Sequence, residues 1–198
     1  MSFIELPLVN PGEVIESSYN NQNKHNTDYL KVRADKVDKY IVNPMLHVQN
    51  IIEGNGESFT AGAWRTRPLN TLKLNTIEGA DIDFDTKYIT LPAGQYEVEI
   101  YSCAFYVRAN VARLYNITKS EETLRGTYGF SDNNAGYNNT GSEIYGRFTI
   151  DEECVFILQH YCTTTRTAGG FGYGGSAGDI AATGDKIYAD LRIYRIGD

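Results

Sequence analysis

Several things are scarce in this 198-residue chain, and each scarcity excludes something. No apolar run reaches the roughly 18 residues that a membrane-spanning helix needs, so no transmembrane helix is expected. Basic residues are in deficit, with 18 Lys and Arg against 25 Asp and Glu and a formal net charge of −7. That balance argues against nucleic acid or an anionic membrane as the main partner. Cysteine is sparse and odd in number: Cys103, Cys154 and Cys162, without CxxC spacing. Reduced thiols and cytoplasmic synthesis are the expectation. The opening residues, MSFIELP, lack a basic region followed by an apolar core, so they do not read as a signal peptide. Helical periodicity is rare as well, and no helix–strand alternation suggests a nucleotide fold.

What the chain has is tyrosine, 15 residues, and glycine, 19. Tyrosine favours strands and provides rigid amphipathic contact area, so it suits sheets and interfaces. The stretch 88–100 sets the pattern. Tyr96, Val98 and Ile100 alternate with Glu97 and Glu99, which is the period of a half-buried antiparallel strand with the glutamates outside. Just before it, Pro92 and Gly94 make a sharp corner between two strands. The same grammar continues from residue 45 to 198. Strands are expected at 46–52, 58–64, 72–74, 88–91, 95–108, 111–116, 123–128, 142–150, 154–163 and 186–196, separated by turns such as 77–80, 119–122 and 132–136. Along the last strand, Ile187, Ala189, Leu191 and Ile193 should face one way and Tyr188, Asp190, Arg192 and Tyr194 the other. Its pairing with early strands is what a Greek key requires. The fold class is therefore all-β, a sandwich or barrel.

Residues 1–44 are different. The segment 1–15 is marked by Pro7 and Pro11, yet Phe3, Ile4, Leu6, Leu8, Val9, Val14 and Ile15 are apolar. It reads either as a strand packed on its own domain or as an arm docking on another protein. Within 27–42, Leu30, Ala34, Val37 and Ile41 are spaced four, three and four apart on a helical pattern. They make a seam two heptads long, suited to a short neck between chains or to one amphipathic helix on its own domain.

Chemistry-bearing patterns are few. His160 and Cys162 share one face of a strand, but a zinc site needs three or four ligands and none joins them. Packing inside the sandwich is the expected role. Asp81, Asp83 and Asp85 share a face without the glycine and distal glutamate of a calcium loop, and read as a solvated edge. No catalytic residue, metal site or cofactor is expected. The most distinctive loop, 168–176, spaces Phe171 and Tyr173 among glycines. Such composition serves contact surfaces, and it also serves a long connection whose aromatics tuck into the axis between the chains of a trimer.

Several motifs together resemble a known family: WRTRPLN at 64–70, LPAGQY at 91–96, ARLYN at 112–116, GRFTI at 146–150, ILQHYC at 157–162 and the closing ADLRIYRI. They are similar to a trimeric jelly-roll domain of the tumour necrosis factor-like kind found in bacteriophage fibre and virion-surface proteins. PGEVIESSYNN near the N-terminus resembles the attachment segment of phage fibres. The resemblance implies a homotrimer on the virion surface, without enzymatic activity. Its jelly roll would span 45–198, held by residues 1–44 to a capsid or tail structural protein. With only some thirty residues between anchor and head, a capsid decoration protein, head fibre or short fibre fits better than a long tail fibre. The alternative is a receptor-binding tail fibre or spike that recognises a host-surface glycan or protein in host attachment, through Phe171 and Tyr173.

Overall fold

A computed structural model of the protein describes Thr27 and residues 43–131, 139–175 and 184–198. The anchor residues Phe3, Ile4, Leu6, Leu8, Val9, Val14 and Ile15 and the neck residues Leu30, Ala34, Val37 and Ile41 lie outside the described residues. The compact unit Pro44–Asp198 carries twelve described strands: β1 (Met45–Ile52), β2 (Arg65–Thr66), β3 (Thr71–Asn75), β4 (Asp81–Asp83), β5 (Tyr88–Leu91), β6 (Gly94–Phe105), β7 (Arg108–Asn116), β8 (Glu121–Arg125), β9 (Gly129–Ser131), β10 (Asn139–Ile150), β11 (Cys154–Cys162) and β12 (Lys186–Gly197).

The strands form two antiparallel sheets. One runs in the order β10-β6-β12-β1-β3; the other runs β4-β5-β11-β7-β8, with β2 beside β11 and β9 beside β7. Among the described strands the chain crosses between them at β1–β2, β2–β3, β3–β4, β5–β6, β6–β7, β9–β10, β10–β11 and β11–β12, and β12 inserts between β1 and β6. That order is the jelly roll expected from the sequence, with the last strand closing on the first. Pro92–Gly94 is one of the crossing corners. Gly94 has φ 156°, and a Cβ there would meet Nε of Arg195 at 2.9 Å, so only glycine is accommodated. The Tyr96 hydroxyl donates to the Pro92 carbonyl at 2.7 Å and ties the corner to the strand it starts.

Alternation decides which side chains meet. Tyr96, Val98 and Ile100 of β6 face Leu114, Phe156 and Leu158 of the other sheet in one apolar cluster with Leu46, Val48, Leu191 and Ile193. A second, smaller cluster joins Phe59, Ala104, Val107, Cys162 and Phe171. Along the strands, between these two clusters, lies a layer of buried polar residues. Ser142, Ser102, Ala189 and Asn50 pair in register across four strands of the first sheet. Asn110 and His160 lie on the second, with Arg67 also wholly enclosed.

Three expectations are corrected. The strand expected at 95–108 ends at Phe105. Tyr106 and Arg108 take left-handed backbone angles, φ 53° and 60°, and reverse the chain without any glycine to mark the turn. No strand forms over 58–64; Phe59 makes only an isolated bridge to Arg166. In β12, Ile187 is exposed and Tyr188 is buried, the reverse of strict alternation, because the ladder with β1 slips at Asn50–Ile51.

Candidate functional site

The outer face of the seven-stranded sheet carries an aromatic and arginine cluster. In β7 and β11 the inward residues are Ala112, Leu114, Phe156, Leu158 and His160. Arg113, Tyr115, Gln159 and Tyr161 therefore face out. β2 pairs with β11 through Thr66–Gln159 and Arg65–His160, which brings Trp64 beside Tyr161, ring centroids 5.7 Å apart. The Arg113 guanidinium lies 4.0 Å from the Trp64 ring and 4.4 Å from the Tyr115 ring. Its Nε and Nη2 donate to Oε1 of Gln159 at 2.9 and 2.8 Å. Arg125, opposite Arg113 on β8, donates through Nε and Nη2 to both oxygens of Glu122, each at 2.7 Å. Glu122 also reaches Arg113 at 3.5 Å. The Arg125 guanidinium, with Arg113 behind it, holds the Glu122 carboxyl below the usual carboxylate range. Two cations thus share one carboxylate, and the cluster has one positive charge in excess.

Beside this stack lies a groove of about 300 Å³ lined by Trp64, Val111, Arg125, Tyr128, Tyr161 and Thr163, among others. Trp64 comes from the β2 side and Arg125 and Tyr128 from the β8–β9 side; Val111 is on the central strand between. Tyr128 is 73% exposed, and Phe130 nearby on β9 is 57% exposed. The chemistry on offer is stacking, phenolic hydrogen bonding and one guanidinium.

The outer face of the five-stranded sheet is the other functional candidate. Tyr145, Glu99, Arg192, His47 and Leu74 stand in one register row across all five strands. The middle of the face is charged. His47 Nε2 lies 3.2 Å from Asp190, Arg192 Nε 3.0 Å from Asp190, and Arg147 pairs with Glu97. Glu97 and Glu99 thus stand outside, as expected. Exposed Tyr101, Tyr145, Leu72 and Leu74 flank these charges.

The residues singled out in the sequence fall as follows. Phe171 is 4% exposed, stacked on Phe59 at 4.3 Å with the Arg67 guanidinium 4.4 Å over its ring; its ring is enclosed by its own domain. Tyr173 stacks on Phe105 at 4.5 Å. Asn139 clamps its backbone, donating to the Tyr173 carbonyl at 2.7 Å and accepting from its N–H at 2.9 Å. Gly172, at φ 143°, lies flat against the Tyr188 ring, where any side chain would collide. His160 is buried and its Nε2 is 3.0 Å from Oδ1 of Asn110. Burial, with Arg67 second, keeps it well below the ordinary imidazole range. Cys162 is buried too, and burial pushes its thiol up to about 11. Asp83 accepts from the Asp85 N–H at 2.7 Å and the Thr86 hydroxyl at 2.8 Å, an Asx turn. Among the described residues no three His, Cys, Asp or Glu side chains gather as a metal site.

Trp64, Arg113, Arg125, Tyr128 and Tyr161 were not singled out as site residues from sequence. Outward alternation along 111–115 and 157–161 puts Arg113, Tyr115, Gln159 and Tyr161 on one face; the approach of Trp64 and Arg125 depends on strand pairing.

No family model matches the chain, and no curated protein matches it. Among solved structures, the globular domain of zebrafish complement 1qA protein is similar at a TM-score of 0.49 and 13% identity, over 78% of this chain and 98% of that one. Murine APRIL, in its crystal structure at pH 5.0, is similar at a TM-score of 0.49 and 12% identity, over 78% of this chain and 99% of that one.

Proposed function

We propose that this protein is a non-enzymatic virion surface protein of a bacteriophage. In this reading it is a homotrimer, made in the host cytoplasm, with the jelly roll displayed outward. Residues 1–44 bind it to a capsid or tail structural protein, and a capsid decoration or head fibre role is preferred. The motifs of the jelly roll and the apolar, proline-marked arm support the virion assignment. The observation that carries assembly is the outer face of the five-stranded sheet. Tyr101, Tyr145, Leu72 and Leu74 are left exposed there around a charged centre, and tyrosine is enriched where surfaces associate. Imaging of particles with this protein labelled tests the assignment: label on the capsid supports decoration, label at the tail supports attachment, and particles without label contradict both.

A second reading, recognition of the host surface, is favoured by the Trp64 groove. It lies on the sheet opposite the proposed assembly face, so assembly through the first sheet leaves it open.

A further inference from the structure

We infer that the groove between Trp64, Tyr161, Tyr128 and Arg125 binds a pyranose sugar bearing an acidic group; the inference rests on the recognition reading and gives it a place and a ligand class. The groove holds about 300 Å³, room for one or two sugar rings. Its walls are aromatic faces and edges carrying phenols, which suit a ring with apolar C–H faces and polar hydroxyl edges. Its charge is set by Arg113 and Arg125 sharing Glu122. One uncompensated guanidinium charge, on a chain of net charge −7, favours a single carboxylate or sulfate on the ligand over a neutral sugar.

The groove is built before any ligand arrives. Arg113 is fixed between Trp64 and Tyr115 and by the two hydrogen bonds it donates to Oε1 of Gln159. It therefore holds the indole in place rather than reaching for a ligand. Arg125 is aimed by its two bonds to Glu122, and Tyr128 lines the groove with it. Pre-ordered side chains lower the entropy lost on binding.

Other ligand classes fit less well. Nucleic acid needs several phosphate contacts, and one excess positive charge does not supply them. An extended peptide adds to a free strand edge, but β7 and β11 under the groove are paired to each other from Phe156–Asn116 to Cys162–Asn110. A lipid chain would bury the Arg125 guanidinium and two phenols against hydrocarbon.

Trp64 is the single tryptophan, so the intrinsic emission of the full chain reports on this groove. We expect methyl glucuronide to change that emission saturably, and methyl glucoside to require about tenfold more ligand. Arg125→Gln should remove the preference between the two, and Tyr128→Ala should weaken both. No saturable change with either sugar, or the same glucuronide preference in Arg125→Gln, overturns the inference. Adsorption of virions carrying Trp64→Ala to host cells separates the two levels. If adsorption falls while neither sugar binds, host recognition stands and the acidic sugar is wrong.

Discussion

Arg67 donates through Nη2 to the Tyr188 carbonyl at 2.7 Å while fully buried, and among the described residues no carboxylate pairs with it. Its other acceptors are also backbone carbonyls, those of Cys103 at 2.8 Å and Phe171 at 3.3 Å. One guanidinium therefore joins β6, β12 and the glycine–aromatic loop. Burial lowers its pKa to about 10, which still leaves it charged at neutral pH.

Replacing Arg67 with Ala leaves three carbonyls without their donor and opens a cavity beside Phe171. Each bond to a charged group is worth about 1.5–3 kcal/mol, so a loss of at least ~3 kcal/mol is expected in urea unfolding. A loss below about 1 kcal/mol would show that the loop is held by other contacts.

His160 makes stability depend on pH. Its folded pKa lies well below 6.5, through burial first and Arg67 second, while the unfolded chain protonates near 6.5. Between those two values the unfolded state binds the extra proton. The contribution of His160 is therefore full above pH 6.5 and is lost as pH falls below it, by up to about 1.4 kcal/mol per pH unit. Urea midpoints at pH 7 and pH 5 should separate more for the native chain than for His160→Gln. Equal separations would mean that His160 takes up its proton in the folded state.

All three cysteines are buried and free, and burial raises the thiols of Cys103 and Cys162. Iodoacetamide should label the native protein slowly at pH 8 and label all three sites once urea unfolds it. Chelator or reductant should shift Tm by no more than about 2 °C. Rapid native labelling, or a large drop with chelator, would contradict this packing.

Deleting residues 1–15 should abolish incorporation into particles and leave the jelly roll folded. The expectation comes from apolar residues Phe3, Ile4, Leu6, Leu8, Val9, Val14 and Ile15. Truncated protein recovered on purified virions would move the anchor elsewhere.

Much of the fold was legible because alternation is a local property. Tyr96–Ile100, the Pro92–Gly94 corner and the closing strand all declare themselves within a dozen residues. What escaped is decided between strands. The reversal at Tyr106–Arg108 uses left-handed residues that are neither glycine nor asparagine. Tyr188 turns inward because its partner β1 slips at Asn50–Ile51, which no pattern within 186–196 records. The groove was hidden for the same reason. Trp64 meets Arg113 and Tyr161 only because β2 pairs with β11, and its segment does not form the strand its residues suggested. Phe171 looked like a contact residue because its loop is rich in glycine. Those glycines let the backbone pass flat against Tyr188 and carry the ring inward.

The central claim is homotrimeric assembly through the five-stranded sheet, and sedimentation equilibrium of the full chain tests it most directly. The expected mass is that of three 22.1 kDa chains at micromolar concentration. Tyr145→Glu combined with Leu74→Asp should reduce that to one chain with the strand signal of circular dichroism unchanged. A native chain that sediments as a monomer at that concentration, or a double variant that remains trimeric, would contradict it.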